Sequence, residues 1–122
     1  MRGLLAVLLM LWGFGPAMAA EPLALVIEGT RLSSDDYTGR PVIEVRLGTE
    51  ARRLFGEFTA AHVGRRIDVL VGEDVVTSPV IRTPIYGSAV MISGLDTMAE
   101  AEAIVMRLSG KKAVIFVRPS LE

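Results

Sequence analysis

Apolar positions recur along this chain with two different periods, and the switches between them mark out the elements. Leu23 to Ile27 is a short apolar run with β-branched content and reads as a first strand. Gly29 to Gly39 is polar and turn-rich around Ser33-Ser34-Asp35-Asp36, and reads as a loop. From Pro41 to Leu47 residues alternate. Ile43, Val45 and Leu47 share one face, and Val42, Glu44 and Arg46 share the other, mostly polar one. That pattern predicts a half-buried strand.

The spacing then becomes helical. Thr49 can cap a helix beginning at Glu50, and Ala51, Leu54, Phe55, Phe58 and Ala61 or His62 fall on one stripe. The predicted helix covers about 50–62, with Gly64 as a left-handed stop. Ile67, Val69 and Val71 alternate with Asp68 and Leu70. Gly72-Glu73-Asp74 then turns the chain into Val75-Val76-Thr77, which predicts a hairpin. Pro79 and Pro84 punctuate an extended arm at an edge of the sheet or beyond it, because proline donates nothing to a ladder. Ala89 to Ile92 is a further strand, ended by Gly94. Thr97-Met98-Ala99-Glu100 forms a capping box. The helix it opens, near 98–109, carries Met98, Ala101, Ile104, Val105 and Leu108 as its apolar stripe. Gly110 stops it and Lys111-Lys112 suit its negative end. Ala113 to Val117 is the last strand. The order β-β-α-β-β-β-α-β predicts an α+β fold, two helices packed on one face of a mostly antiparallel sheet.

The first residues change how the rest is counted. Arg2, the apolar run Leu4 to Phe14, Gly15-Pro16 and the small-x-small pattern Ala17-Met18-Ala19 read as a signal peptide over residues 1–19. An uncleaved membrane anchor is the competing reading, but the run is shorter than the roughly 20 residues a spanning helix needs. No Cys near the cleavage point offers a lipid anchor. Cleavage of the 122-residue chain after Ala19 leaves 103 residues, a single domain over 20–122 with room for one core. The 13 basic residues lose Arg2, leaving 12 against 14 acidic. No basic excess exists to hold a phosphate backbone, so nucleic acid is not an expected partner. With no cysteine the exported domain has no disulfide framework. The expected location is periplasmic or secreted.

Catalytic chemistry is thin. His62 is the one histidine, and its place in the last turn of a helix suits a charge facing the dipole better than catalysis. Asp35-Asp36 lack the further oxygen ligands calcium requires. Ser78 and Ser88 have no nucleophile-elbow context, and Gly87 and Gly94 do not make a phosphate loop. Met91, Met98 and Met106 read as core filler. The expectation is therefore a non-enzyme with no catalytic residue, metal or cofactor. The arm from Val80 to Tyr86 remains as a candidate contact, through Val80, Ile81, Ile85 and Tyr86. Apolar side chains on an arm with unpaired backbone can receive an extended polypeptide or a partner strand. The competing reading is that they simply cover the end of the sheet.

Read together, Phe58-Thr59, Val63-Gly64, Val75 to Ile81, Pro84-Ile85-Tyr86-Gly87, Ile92-Ser93-Gly94 and Glu100-Ala101 stand in an order that resembles the head subdomain of the first periplasmic domain of SecD and SecDF. The likeness covers roughly Pro41 to Leu108 and rests on glycines, prolines and apolar positions. The matching Thr77-Ser78-Pro79 turn, Ile81, Ile85, Gly87, Ile92 and Gly94 imply structural roles. The resemblance implies a protein- or polypeptide-binding module accessory to export, with an extended polypeptide or a membrane-complex protein as partner. Contact with a membrane would come only through that partner or an uncleaved leader. The chain shows no base subdomain, later membrane helix or intramembrane acid, so a proton-driven motor is not expected of it alone. A structural accessory docking on a membrane complex through its helix-free sheet face is the alternative.

Overall fold

The computed structural model describes residues 21–121, so the leader expected over 1–19 lies outside them. Six strands and two helices follow in the expected order. They are β1 (Leu23–Ser34), β2 (Pro41–Leu47), α1 (Thr49–Ala60), β3 (Ile67–Val71), β4 (Asp74–Thr77), β5 (Ala89–Ile92), α2 (Met98–Arg107) and β6 (Val114–Pro119). They form one sheet in the spatial order β4-β3-β6-β1-β2-β5, with every neighbouring pair antiparallel.

The segment expected as a loop after Ile27 is strand as far as Ser34. Leu23 to Val26 pair with β6, and Ile27 to Ser34 pair with β2. The change of partner coincides with a bulge between Ile27 and Gly29. One extra residue there resets the side-chain alternation. Beyond it Thr30 and Leu32 continue the inner face, opposite Val45 and Ile43. The true turn is short. Asp35 Oδ1 accepts from the amides of Tyr37 and Thr38, and Gly39 takes a positive φ of 73°. Those amides, Thr38's foremost, hold the Asp35 carboxyl below its ordinary range.

Leu25, Ile43, Val45, Leu47, Ile67, Val69, Ile92, Ile115 and Val117 make the inner face, and Ala51, Phe55, Ala101, Ile104 and Leu108 come down on it from the two helices. α1 begins one residue earlier than expected. Gly48 occupies the cap position without a side-chain bond, and Thr49 is already helical. α2 has its expected cap at Thr97, whose Oγ1 accepts from the Glu100 amide, but Glu100 reaches one residue beyond the cap, to the amide of Asp96 instead of that of Thr97. Arg107 ties α2 to the β3–β4 hairpin by donating to Val71 O and Asp74 Oδ2, both at 2.9 Å. Met91, Met98 and Met106, expected in the core, are exposed. Each lies on an outward position of its strand or helix, beyond the stripe that packs.

The helix-free face is apolar over only half its width. Val75, Leu70, Phe116 and Ala24 form one cross-strand row over β4, β3, β6 and β1, with Val26 and Val114 paired beside it. Leu70 is buried within this row, whereas Val26 and Val75 stand open. Over β1 and β2 the same face is charged, with Arg31 and Glu44 paired at 2.9 Å.

Candidate functional site

The arm between β4 and β5 divides into two parts. Its first part is paired. Ile67 N donates to Pro79 O at 3.0 Å, Ile81 N donates to Arg65 O at 2.8 Å, and Gly64 N donates to Ile81 O at 2.6 Å. Gly64 makes this approach at a φ of 85°. Ile81 thus has both backbone groups engaged, and its side chain is 1% exposed in the core. It is not on offer to a partner, and the prolines do not leave the backbone free there. The second part, Arg82 to Ser88, touches the body at few points. Ile85 N donates to Thr59 Oγ1 at 2.8 Å, the Ile85 side chain packs half-buried against the core, and Ser88 O accepts from Leu47 N.

Gly56 decides where Tyr86 lies. A Cβ at Gly56 would overlap the Tyr86 ring, so the ring rests directly against helix backbone. The residue is otherwise open to solvent, at 62% exposed. Of the four expected contact residues, Val80 and Tyr86 are presented to solvent, Ile85 is half-covered and Ile81 is enclosed.

Thr59 and Gly56, which hold the arm against α1, are the positions the apolar periodicity missed. Thr59 is fully buried, and its hydroxyl donates to the carbonyls of Phe55 and Gly56 while accepting from Ile85. A glycine in the middle of an otherwise good helix was the available signal that another segment approaches closely. Replacing Thr59 by Val keeps the shape but leaves the Ile85 amide without its acceptor. We expect a loss of about 1–3 kcal/mol in urea unfolding. Faster amide exchange should appear at Ile85; an unchanged exchange rate there would mean the bond does not hold the arm.

Two hollows of about 450 Å³ each lie outside the core. The polar one is lined by Arg66, Asp68, Ser78, Ser120 and Leu121. Asp68, buried at a β3 position on the helix-free face, accepts from Ser78 Oγ at 2.8 Å and from Arg118 Nε at 3.1 Å. The apolar one runs along α1, with Leu54, Phe58, Ala61 and His62 on the helix side and Leu23, Val117 and Pro119 on the sheet side. His62 Nδ1 lies 2.7 Å from Phe58 O, and its ring packs against Phe58 at a tilt of 34° with centroids 4.4 Å apart. His62 and Ser78 therefore line different hollows. Among the described residues no group of His, Asp and Glu is placed to hold a metal ion.

This arrangement of six antiparallel strands and two helices has counterparts. Residues 20–112 match the family model described as SecDF, P1 head subdomain. The chain belongs to the SecDF P1 head family. It is 30% identical over 73 residues to the protein translocase subunit SecD of Dictyoglomus turgidum, covering 60% of this chain and 18% of that protein. It is 34% identical over 73 residues to the protein translocase subunit SecDF of Thermus thermophilus, covering 60% of this chain and 10% of that one. A solved structure of SecDF, described as a membrane component that enhances protein export, superposes with a TM-score of 0.64 at 30% identity. That match covers 73% of this chain and 41% of the other. The chain thus spans less than a fifth of the length of these SecD and SecDF relatives. Among the described residues of this P1 head no helix is long and apolar enough to cross a membrane.

Proposed function

We propose that this P1 head is an exported, non-catalytic module that holds extended polypeptide or a protein partner in the service of protein export. In this reading residues 1–19 are a cleaved signal peptide, and 20–122 act as one domain in the periplasm or outside the cell. The observation that carries it is the arm, where Val80 and a Tyr86 ring pressed against bare helix backbone are displayed to solvent. A rigid, largely exposed aromatic anchors a bound chain at little entropic cost. The separation of His62 from Ser78 supports a non-catalytic role, and so do relatives that are translocase subunits. Ile85 contributes at the margin and Ile81 acts from within, by holding the arm down.

Photoreactive residues at Val80 and Tyr86, with Arg46 as a probe of the opposite face, test this. Adducts with unfolded secretory polypeptides from 80 or 86 are expected. Silence at both positions would remove the arm from consideration. A second reading, docking on a membrane complex through the helix-free face, is favoured by the row Val75–Leu70–Phe116–Ala24. A single membrane-protein adduct from Arg46 would select it.

A further inference from the structure

The sheet ends on two strands, β4 on one side and β5 on the other. β4 is a poor edge for a further strand. Its register with β3 shifts between Val69 and Leu70, Glu73 and Asp74 stand at its start, and Arg107 is tied to Asp74. Bulges and charges are the usual guards against strand addition. β5 carries neither. Ser88 to Ser93 is uncharged and free of proline, and β5 keeps unbroken register with β2 over Ile43–Ile92, Glu44–Met91, Val45–Val90 and Arg46–Ala89. Leu47 N donates to Ser88 O, which sets the phase of the ladder. Bonded and unbonded pairs alternate from there, so Val90 and Ile92 use their backbone groups on β2. The N–H and C=O of Ala89 and Met91 point the other way. Among the described residues no strand, turn or side chain bonds to them.

We infer that the outer edge of β5 takes an extended polypeptide as a seventh strand, gripped by the backbone of Ala89 and Met91. This rests on the polypeptide-holding reading and moves the backbone pairing from the arm, where Ile81 is already engaged, to the edge that the arm leads into. Tyr86 stands two residues before Ser88, at most about 7 Å of chain away, so one segment can touch the ring and lie along β5. Backbone groups that repeat every second residue select an extended chain and read no particular sequence. The neighbours set its composition. Residues opposite Ala89 and Met91 come beside the exposed Met91 side chain, and the residue opposite Val90 comes to the helix side of the sheet, where Val90 and Ile92 are buried. Uncharged segments rich in β-branched or aromatic residues fit both sides. A second folded copy of this chain fits less well, because a strand of 4 residues offers far less than the roughly 1,200 Å² at which stable interfaces begin.

The test uses residues 20–122, which contain the whole described fold, and a fluorescent peptide of alternating valine and threonine. With the peptide at ten times its dissociation constant, solvent exchange at the Ala89 and Met91 amides should slow by about tenfold. Met91→Pro removes a donor that the internal ladder does not use and sets a ring against the next strand, so it should weaken the peptide by about tenfold or more. The same peptide N-methylated at every residue keeps its side chains but has no N–H to give. It should fail to bind the unaltered protein, which tests the edge even if Met91→Pro does not fold. Binding that survives Met91→Pro with Ala89 and Met91 unprotected, but is lost in Tyr86→Ala, would overturn the edge while sparing the polypeptide-holding reading. Equal binding of the N-methylated peptide would overturn backbone pairing, and protection along β4 instead would overturn the choice of strand. No binding of the unmethylated peptide would overturn both readings. Protection of Ala89 and Met91 that rises with protein concentration in the absence of peptide would assign the edge to a second copy of this chain and overturn the proposal as well.

Discussion

Phe55→Ala should lower the unfolding free energy by about 3–5 kcal/mol, the range for emptying an aromatic site in a closed core. Phe55 is 2% exposed and lies in the cluster that joins α1 to the sheet. Phe58, one turn on, is only half-buried because one side of its ring faces the apolar groove. Truncating Phe58 should therefore cost visibly less, since part of its surface is already wet. Paired urea titrations of the two variants measure the difference directly. A Phe58→Ala loss equal to or larger than that of Phe55→Ala would mean that α1 sits rotated from the position described.

Ile81→Ala should be the next most damaging single change, at about 2–5 kcal/mol. Its side chain is enclosed among core residues although it belongs to the arm. Its backbone makes the two bonds that lay Pro79 to Ile81 alongside residues 64–67. Tyr86→Ala should behave in the opposite way. Its ring is mostly in solvent, so stability should fall by less than about 1 kcal/mol, while crosslinking of polypeptide from Val80 should weaken. The pair of variants separates holding the arm from using it. If Ile81→Ala left the denaturation midpoint unchanged yet removed the adducts, the isoleucine would be facing a partner and the pairing described for it would not stand.

The elements that alternate strongly or repeat at helical spacing were legible from the residues alone: β2, β3, the stripe of α2 and its Thr97 cap. What was not legible has physical causes. β1 past the bulge offers Thr30 and Leu32 as its inner residues, one of them polar, and it pairs on one side only, so little burial is written into Gly29 to Ser34. In α1 the apolar stripe points between the core and the groove. The closest contact on its other flank uses Gly56 and Thr59, residues that hydropathy does not score. The methionines failed in the reverse direction, since large apolar side chains standing singly on a surface are ordinary. For the arm, the prolines correctly marked a departure from regular pairing, but Ile81 could be placed only by knowing that Gly64 turns back to meet it.

The first and last strands of the domain are direct neighbours. Leu23 stands opposite Val117, so the chain enters through β1 and leaves through β6 at the same end of an antiparallel pair. That geometry has a mechanical meaning. Tension applied between the two ends loads the rungs Leu23–Val117, Ala24–Phe116, Leu25–Ile115 and Val26–Val114 one at a time, in the manner of a zipper. The rungs are not sheared together, so each opens under a force set by one or two hydrogen bonds. Peeling them would unseat Leu25, Ile115 and Val117 from the middle of the core in succession. A load drawn across the ends would thus dismantle this domain from its centre outward, whereas one applied at the arm would first meet the paired backbone of Ile81.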